Sequence, residues 1–133
     1  EFGKQCVVVS IPCKINENNK WQVYTHGGRE KTGLEVIEWA HKAVSLGAGE
    51  LLVTSIDKDG LRNGFDLNLM KRFNEINKVP IIASGGFGKP THASDLLNIS
   101  SCEAIAIADY LHMSRGKIEE VKNEIKDKFA VRL

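Results

Sequence analysis

The chain has little of what would mark a secreted, membrane-bound or nucleic-acid-binding protein. Only three of its 133 residues are cysteine. Cys6, Cys13 and Cys102 are odd in number and lack metal-ligand spacing, so reduced thiols and a cytoplasmic location are expected. Charge of one sign is lacking too, because 18 basic residues stand against 17 acidic ones, with no basic block to grip nucleic acid. No apolar run approaches the roughly 20 residues that cross a bilayer, and Glu1-Phe2-Gly3-Lys4 does not read as a signal peptide. The histidines His26, His41, His92 and His112 form no ligand pattern, and no metal or other cofactor is expected.

What is present, 42% hydrophobic and 26% charged residues, fits one globular domain over residues 1–133 that handles a small molecule. It is organised around Gly49 to Asp66, GELLVTSIDKDGLRNGFD. Glu50 to Ser55 is short, rich in Leu and Val and without polar alternation, which predicts a strand buried on both faces. The loop after it carries Asp57 and Asp59 around Lys58, with Gly60 and Gly64 allowing a sharp turn or a close approach to a ligand. A solvated polar turn is the plainer alternative.

Around this stretch, one pattern of strand, loop and amphipathic helix occurs four times. Cys6 to Ile11 is the first strand, and Trp21 to Thr25 alternates as a small hairpin arm would. Thr32 and Glu35 form a T-x-x-E capping box, predicting a helix from there to about Leu46 that Gly47 closes. Asp66 caps a second helix. Strand Val79 to Ala83 leads through Ser84 to Gly88 into a short helix from about Pro90, and strand Glu103 to Ala108 precedes a last helix from about Ser114. Such alternation implies parallel strands with right-handed crossovers, an α/β fold.

A closed barrel of this kind takes eight units and about 250 residues, so four units mean a small open sheet or half a barrel. The loops favour half a barrel. Thr25 to Gly28, Asp57 to Gly64, Ser84 to Gly88 and Asp109 all follow strand ends, where such barrels keep their active sites. Ser84-Gly85-Gly86 before a helix offers free N–H groups without obstructing side chains, which suits a phosphate or simply a tight connection.

Thr54-Ser55-Ile56-Asp57-Lys58-Asp59-Gly60, Gly64-Phe65-Asp66 and Pro80 to Lys89 resemble the C-terminal half of the cyclase subunit of imidazole glycerol phosphate synthase. Phe2 to Val9 and Val131-Arg132-Leu133 match as well. The resemblance implies strands five to eight of a (β/α)8 TIM barrel, the first four units lying outside this sequence. It also implies a glutaminase partner supplying ammonia, a doubly phosphorylated ribulosyl carboxamide substrate, and acid/base carboxylates at the barrel mouth. On matching positions it implies Asp59 and Thr54 at the reacting centre and phosphate-holding backbone at Gly60, Ser84, Gly85, Gly86 and Ala108. It further implies an active-site loop at Lys14, Thr25, His26 and Gly28, and an ammonia-entry face at Glu50.

Two residues depart from that pattern. Pro12 stands where the family carries one of its two principal aspartates, and proline cannot move a proton. The other principal aspartate belongs to the half outside this sequence. Asp109 stands where the family usually has a phosphate-binding serine, and its carboxylate would repel a phosphate unless a cation intervenes. These departures resemble a divergent branch, associated with surface polysaccharide, that works with a glutaminase on a nucleotide-linked sugar. A third reading is an inactive folding fragment, whose unpaired sheet edges and bare inner face predict a homo-oligomer.

Overall fold

Residues 3–131 are described by a computed structural model, and their strands form one six-stranded sheet. After a 3-10 turn at Lys4–Cys6, the order is β1 (Val8–Ile15), β2 (Trp21–Thr25), β3 (Glu30–Glu35), α1 (Val36–Leu46), β4 (Glu50–Ser55) and α2 (Leu67–Phe73). The chain continues through β5 (Ile81–Ser84), α3 (Thr91–Leu97), β6 (Ala104–Ala106), α4 (Asp109–His112) and α5 (Ile118–Ile125). Across the sheet the strands run β3-β2-β1-β4-β5-β6. The β1-β4, β4-β5 and β5-β6 pairs are parallel, and β2 and β3 add an antiparallel hairpin beside β1.

Side-chain alternation splits this sheet into a covered and a bare face. Ile11, Cys13, Leu51, Val53, Ser55, Ile81 and Ala83 point under the helices and are buried. They join Val36, Ala40, Leu69, Phe73 and Leu96 from α1, α2 and α3 in the core. The opposite face carries Leu52, Thr54, Ile82 and Ser84, all only half-buried. The strand expected to be buried on both faces is therefore covered on one, because the helices lie on one side alone. Val8, in the expected first strand, is 49% exposed for the same reason. The sheet is α/β, with the four parallel strands and helical crossovers of a half-barrel.

Local chemistry moves two of the expected boundaries. Thr32 does not cap α1; it lies in β3, where its hydroxyl donates to the Val23 carbonyl at 2.7 Å. The cap is Glu35, whose carboxylate accepts from the Ile37 and Glu38 amides at 2.8 and 3.0 Å. A longer hairpin thus replaces the expected first turn of the helix. The last helix starts at Ile118 rather than Ser114, because Ser114 has a positive φ of 51° and separates α4 from α5. Val121 and Ile125 on this helix are buried, while Ile118 is exposed. Asp66 caps α2 as expected and also accepts from Trp21 and Ser55, tying the hairpin to β4.

Pro12 sits inside β1, opposite Thr54. The Cys13 carbonyl accepts from Ile56, so Cys13 faces β4 and the missing N–H of Pro12 faces away from it. On that far side, the antiparallel ladder with β2 stops at Cys13, where a partner for Tyr24 would need the amide that proline lacks.

Candidate active site

The parallel register assembles a row of side chains across the bare face. Pro12 pairs with Thr54, Thr54 with Ser84, and Ser84 with Ala106, placing all four side by side near the C-terminal ends of β1, β4, β5 and β6. Beyond that row the three βα loops converge. Asp59 and Gly60 follow β4, Gly85 and Gly86 follow β5, and Ala108 and Asp109 follow β6; together with Ser84 and Arg62 they line one open cavity of about 130 Å³.

The glycine turn has its shape for a steric reason. Gly85 and Gly86 have φ values of 92° and 97°, the left-handed region that side chains oppose. A Cβ on Gly85 would stand 2.6 Å from the Ser55 carbonyl oxygen, and one on Gly86 would collide with that of Gly64. The Gly64 amide donates to the Gly86 carbonyl at 2.9 Å, so the loops after β4 and β5 are laced directly together. At the next residue pair, Gly88 donates to Nδ1 of His92 at 3.1 Å, which requires a neutral ring on that side. Burial lowers the His92 pKa, Lys89 lowers it further, and Asp95 opposes them. His92 thus buttresses the turn, a role that spacing alone does not reveal.

The two loop aspartates divide their work. Asp57 accepts from the Ile15 amide at 2.7 Å and pins the end of β1 to the loop. Asp59 is exposed on the cavity wall. Asp109, flagged above as a source of repulsion, has the cation it needs: its Oδ2 lies 2.9 Å from Nε of Arg115 and 3.6 Å from Nε of Arg62. Sequence reasoning passed over both arginines, and only their convergence on Asp109 in space distinguishes them.

Other expected site residues lie outside this cavity. Lys14 is exposed on the bare side of β1 beyond Pro12. Thr25, His26 and Gly28 form the hairpin tip, where His26 Nδ1 is 3.2 Å from both the Thr25 hydroxyl and the Glu30 carboxylate. Gly28 packs on Ile56, which brings the tip against the loop after β4. Glu50 is at the opposite end of β4, roughly 17 Å of strand from Ser55. Cys13 is buried with its thiol pushed up, by burial first and then by Asp66, Asp57 and Glu35, so it is no nucleophile. Among the described residues no group of three or more His, Cys, Asp or Glu could hold a metal ion, and no helix is long and apolar enough to cross a membrane.

This glycine turn at the strand ends of half a barrel is set beside known proteins by their sequences. Residues 1–117 match the histidine biosynthesis protein family. The chain belongs to that family. It is 46% identical over 128 residues to imidazole glycerol phosphate synthase subunit HisF of Geobacillus kaustophilus, covering 96% of this chain and 51% of that protein. The subunit of the same name from Dehalococcoides mccartyi (strain BAV1) is also 46% identical over 128 residues, covering 96% of this chain and 50% of its own length. That of Prochlorococcus marinus is 44% identical over 134 residues, 98% of this chain and 52% of that protein. The chain therefore spans about half the length of these curated relatives. None of the three names points to a surface-polysaccharide branch. For a histidine biosynthesis protein of the TIM-barrel class, the bare sheet face of this chain corresponds to the barrel interior.

Proposed function

We propose that this chain is the C-terminal half-barrel, over residues 1–133, of a cytoplasmic cyclase subunit of imidazole glycerol phosphate synthase. Its share of the reaction is to hold one terminal phosphate of the ribulosyl carboxamide nucleotide at the barrel mouth. A glutaminase partner delivers ammonia, and Glu50 at the lower end of β4 marks the entry face. The observation that carries this reading is the cradle at Gly85 and Gly86, two left-handed glycines with no room for a Cβ, flanked by Asp59, Gly60 and Ala108.

In this reading Asp59 exchanges protons with a bound substrate, which its exposure on the cavity wall supports, and the hydroxyls of Thr54 and Ser84 stand in the adjoining row. Lys14, Thr25, His26 and Gly28 form the rim that would border the nucleotide. Pro12 leaves the first position of that row without an acid or base. The test is ammonia-dependent formation of imidazole glycerol phosphate by the complete protein. Pro12→Asp should raise turnover by at least tenfold. An unchanged rate with intact substrate binding would contradict the histidine-pathway reading.

The half-barrel by itself should associate. Leu52 and Ile82 on the bare face are incompletely covered, and the edge strands β3 and β6 offer unpaired backbone groups. A homo-oligomer that covers this face is the state we infer for the chain alone.

A further inference from the structure

Asp109 should weaken a phosphate site if charge alone mattered. The structure gives it another job. Its Oδ2 receives Nε of Arg115 at 2.9 Å and faces Nε of Arg62 at 3.6 Å. Both arginine side chains are less than half exposed, and that of Asp109 is 31% exposed. Arg62 reaches this position from the loop after β4, and Arg115 comes from the turn after α4, so one carboxylate joins two separate loops.

Arg62 is also fixed from behind. Its φ is 57°, a left-handed conformation costly for a side chain that is not glycine. Its carbonyl and Cβ press so closely on Gly88 that no side chain could stand there. Arg62 and Asp109 line the same cavity as Gly85 and Gly86. The backbone therefore brings Arg62 to the rim of the glycine cradle, and Asp109 holds its guanidinium there. Among the described residues Arg62 is the one cationic side chain lining the cavity, where the carboxylates of Asp59 and Asp109 also stand, so an anion there would meet a guanidinium fixed beside the main-chain amides.

We propose that Asp109 is a positioning residue that keeps Arg62 over the cradle, and that Arg62 thereby supplies the charged partner of a phosphate. This rests on the phosphate reading of the cradle. It makes a prediction opposite in sign to simple repulsion. Removing the negative charge of Asp109 should tighten phosphate binding if the carboxylate merely repels, and should weaken it if the carboxylate aligns Arg62.

The experiment is calorimetric titration of inorganic phosphate into the complete protein at pH 7.5 and low salt. Asp109→Asn and Arg62→Gln should each weaken binding about tenfold, the loss expected for a charge-assisted hydrogen bond. The double variant should lose little more than Arg62→Gln, since both act through one contact. Both positions are partly exposed, and circular dichroism would verify that the variants remain folded. Tighter binding by Asp109→Asn, or additive losses in the double variant, would overturn the positioning role while leaving the cradle intact. Absence of binding by the unsubstituted protein would overturn the cradle reading and this proposal together.

Discussion

Gly85 and His92 show how much of the site depends on single side chains, or on having none. Gly85 combines a φ of 92° with a Cβ position 2.6 Å from the Ser55 carbonyl. Gly85→Ala should therefore cost about 1–3 kcal/mol in chemical denaturation, with conformational strain and steric displacement acting together. A cost under a few tenths of a kcal/mol would mean that the turn has room. His92 adds a pH dependence. Its folded pKa lies below the ordinary value of 6.5, because burial and Lys89 disfavour the imidazolium. The unfolded chain then takes up the proton first, so the contribution is complete above about pH 6.5 and is lost as pH falls below it. Denaturation midpoints between pH 7.5 and 5.5 should drop more steeply for the unsubstituted protein than for His92→Gln. Equal slopes would remove His92 from the account.

At the scale of elements, the hairpin is where local signals compete. Glu35 caps α1 through two amide hydrogen bonds, so Glu35→Ala should cost about 1 kcal/mol, whereas Thr32→Ala should not shorten the helix. Helical circular dichroism and denaturation of the two variants distinguish the caps. The T-x-x-E spacing was legible, but it could not reveal that Thr32 would bond to Val23 across a ladder, since that contact exists only once β2 and β3 pair. The four parallel strands were legible because apolar runs and glycine-rich loops are local. Which face they covered was not, because coverage depends on where the helices pack. The glycines of the cradle could be read from residues 84–88, while the Arg62-Asp109-Arg115 cluster joins residues up to 53 positions apart and exists only in three dimensions.

At the scale of the molecule, half a barrel exposes what a whole one buries. Leu52 and Ile82 lie on a sheet face without helices, and the outer edges of β3 and β6 have no neighbouring strand among the described residues. Size-exclusion chromatography of the 133-residue chain at micromolar concentration should show an oligomer, and a monomer would count against covering of the bare face by a second copy. Under the proposed function, catalysis is not expected of this chain alone: Pro12 cannot transfer a proton, and the cradle would hold only one of the two phosphates of the proposed substrate.

The central claim is that the loops after β4, β5 and β6 form a working phosphate site. Titration of the chain with inorganic phosphate, beside Gly86→Asp, tests it most directly. The account predicts saturable binding that disappears in Gly86→Asp, whose side chain would collide with the Gly64 carbonyl and bring a negative charge into the cradle. A folded chain that binds no phosphate, or a Gly86→Asp variant that binds it equally well, would contradict the account.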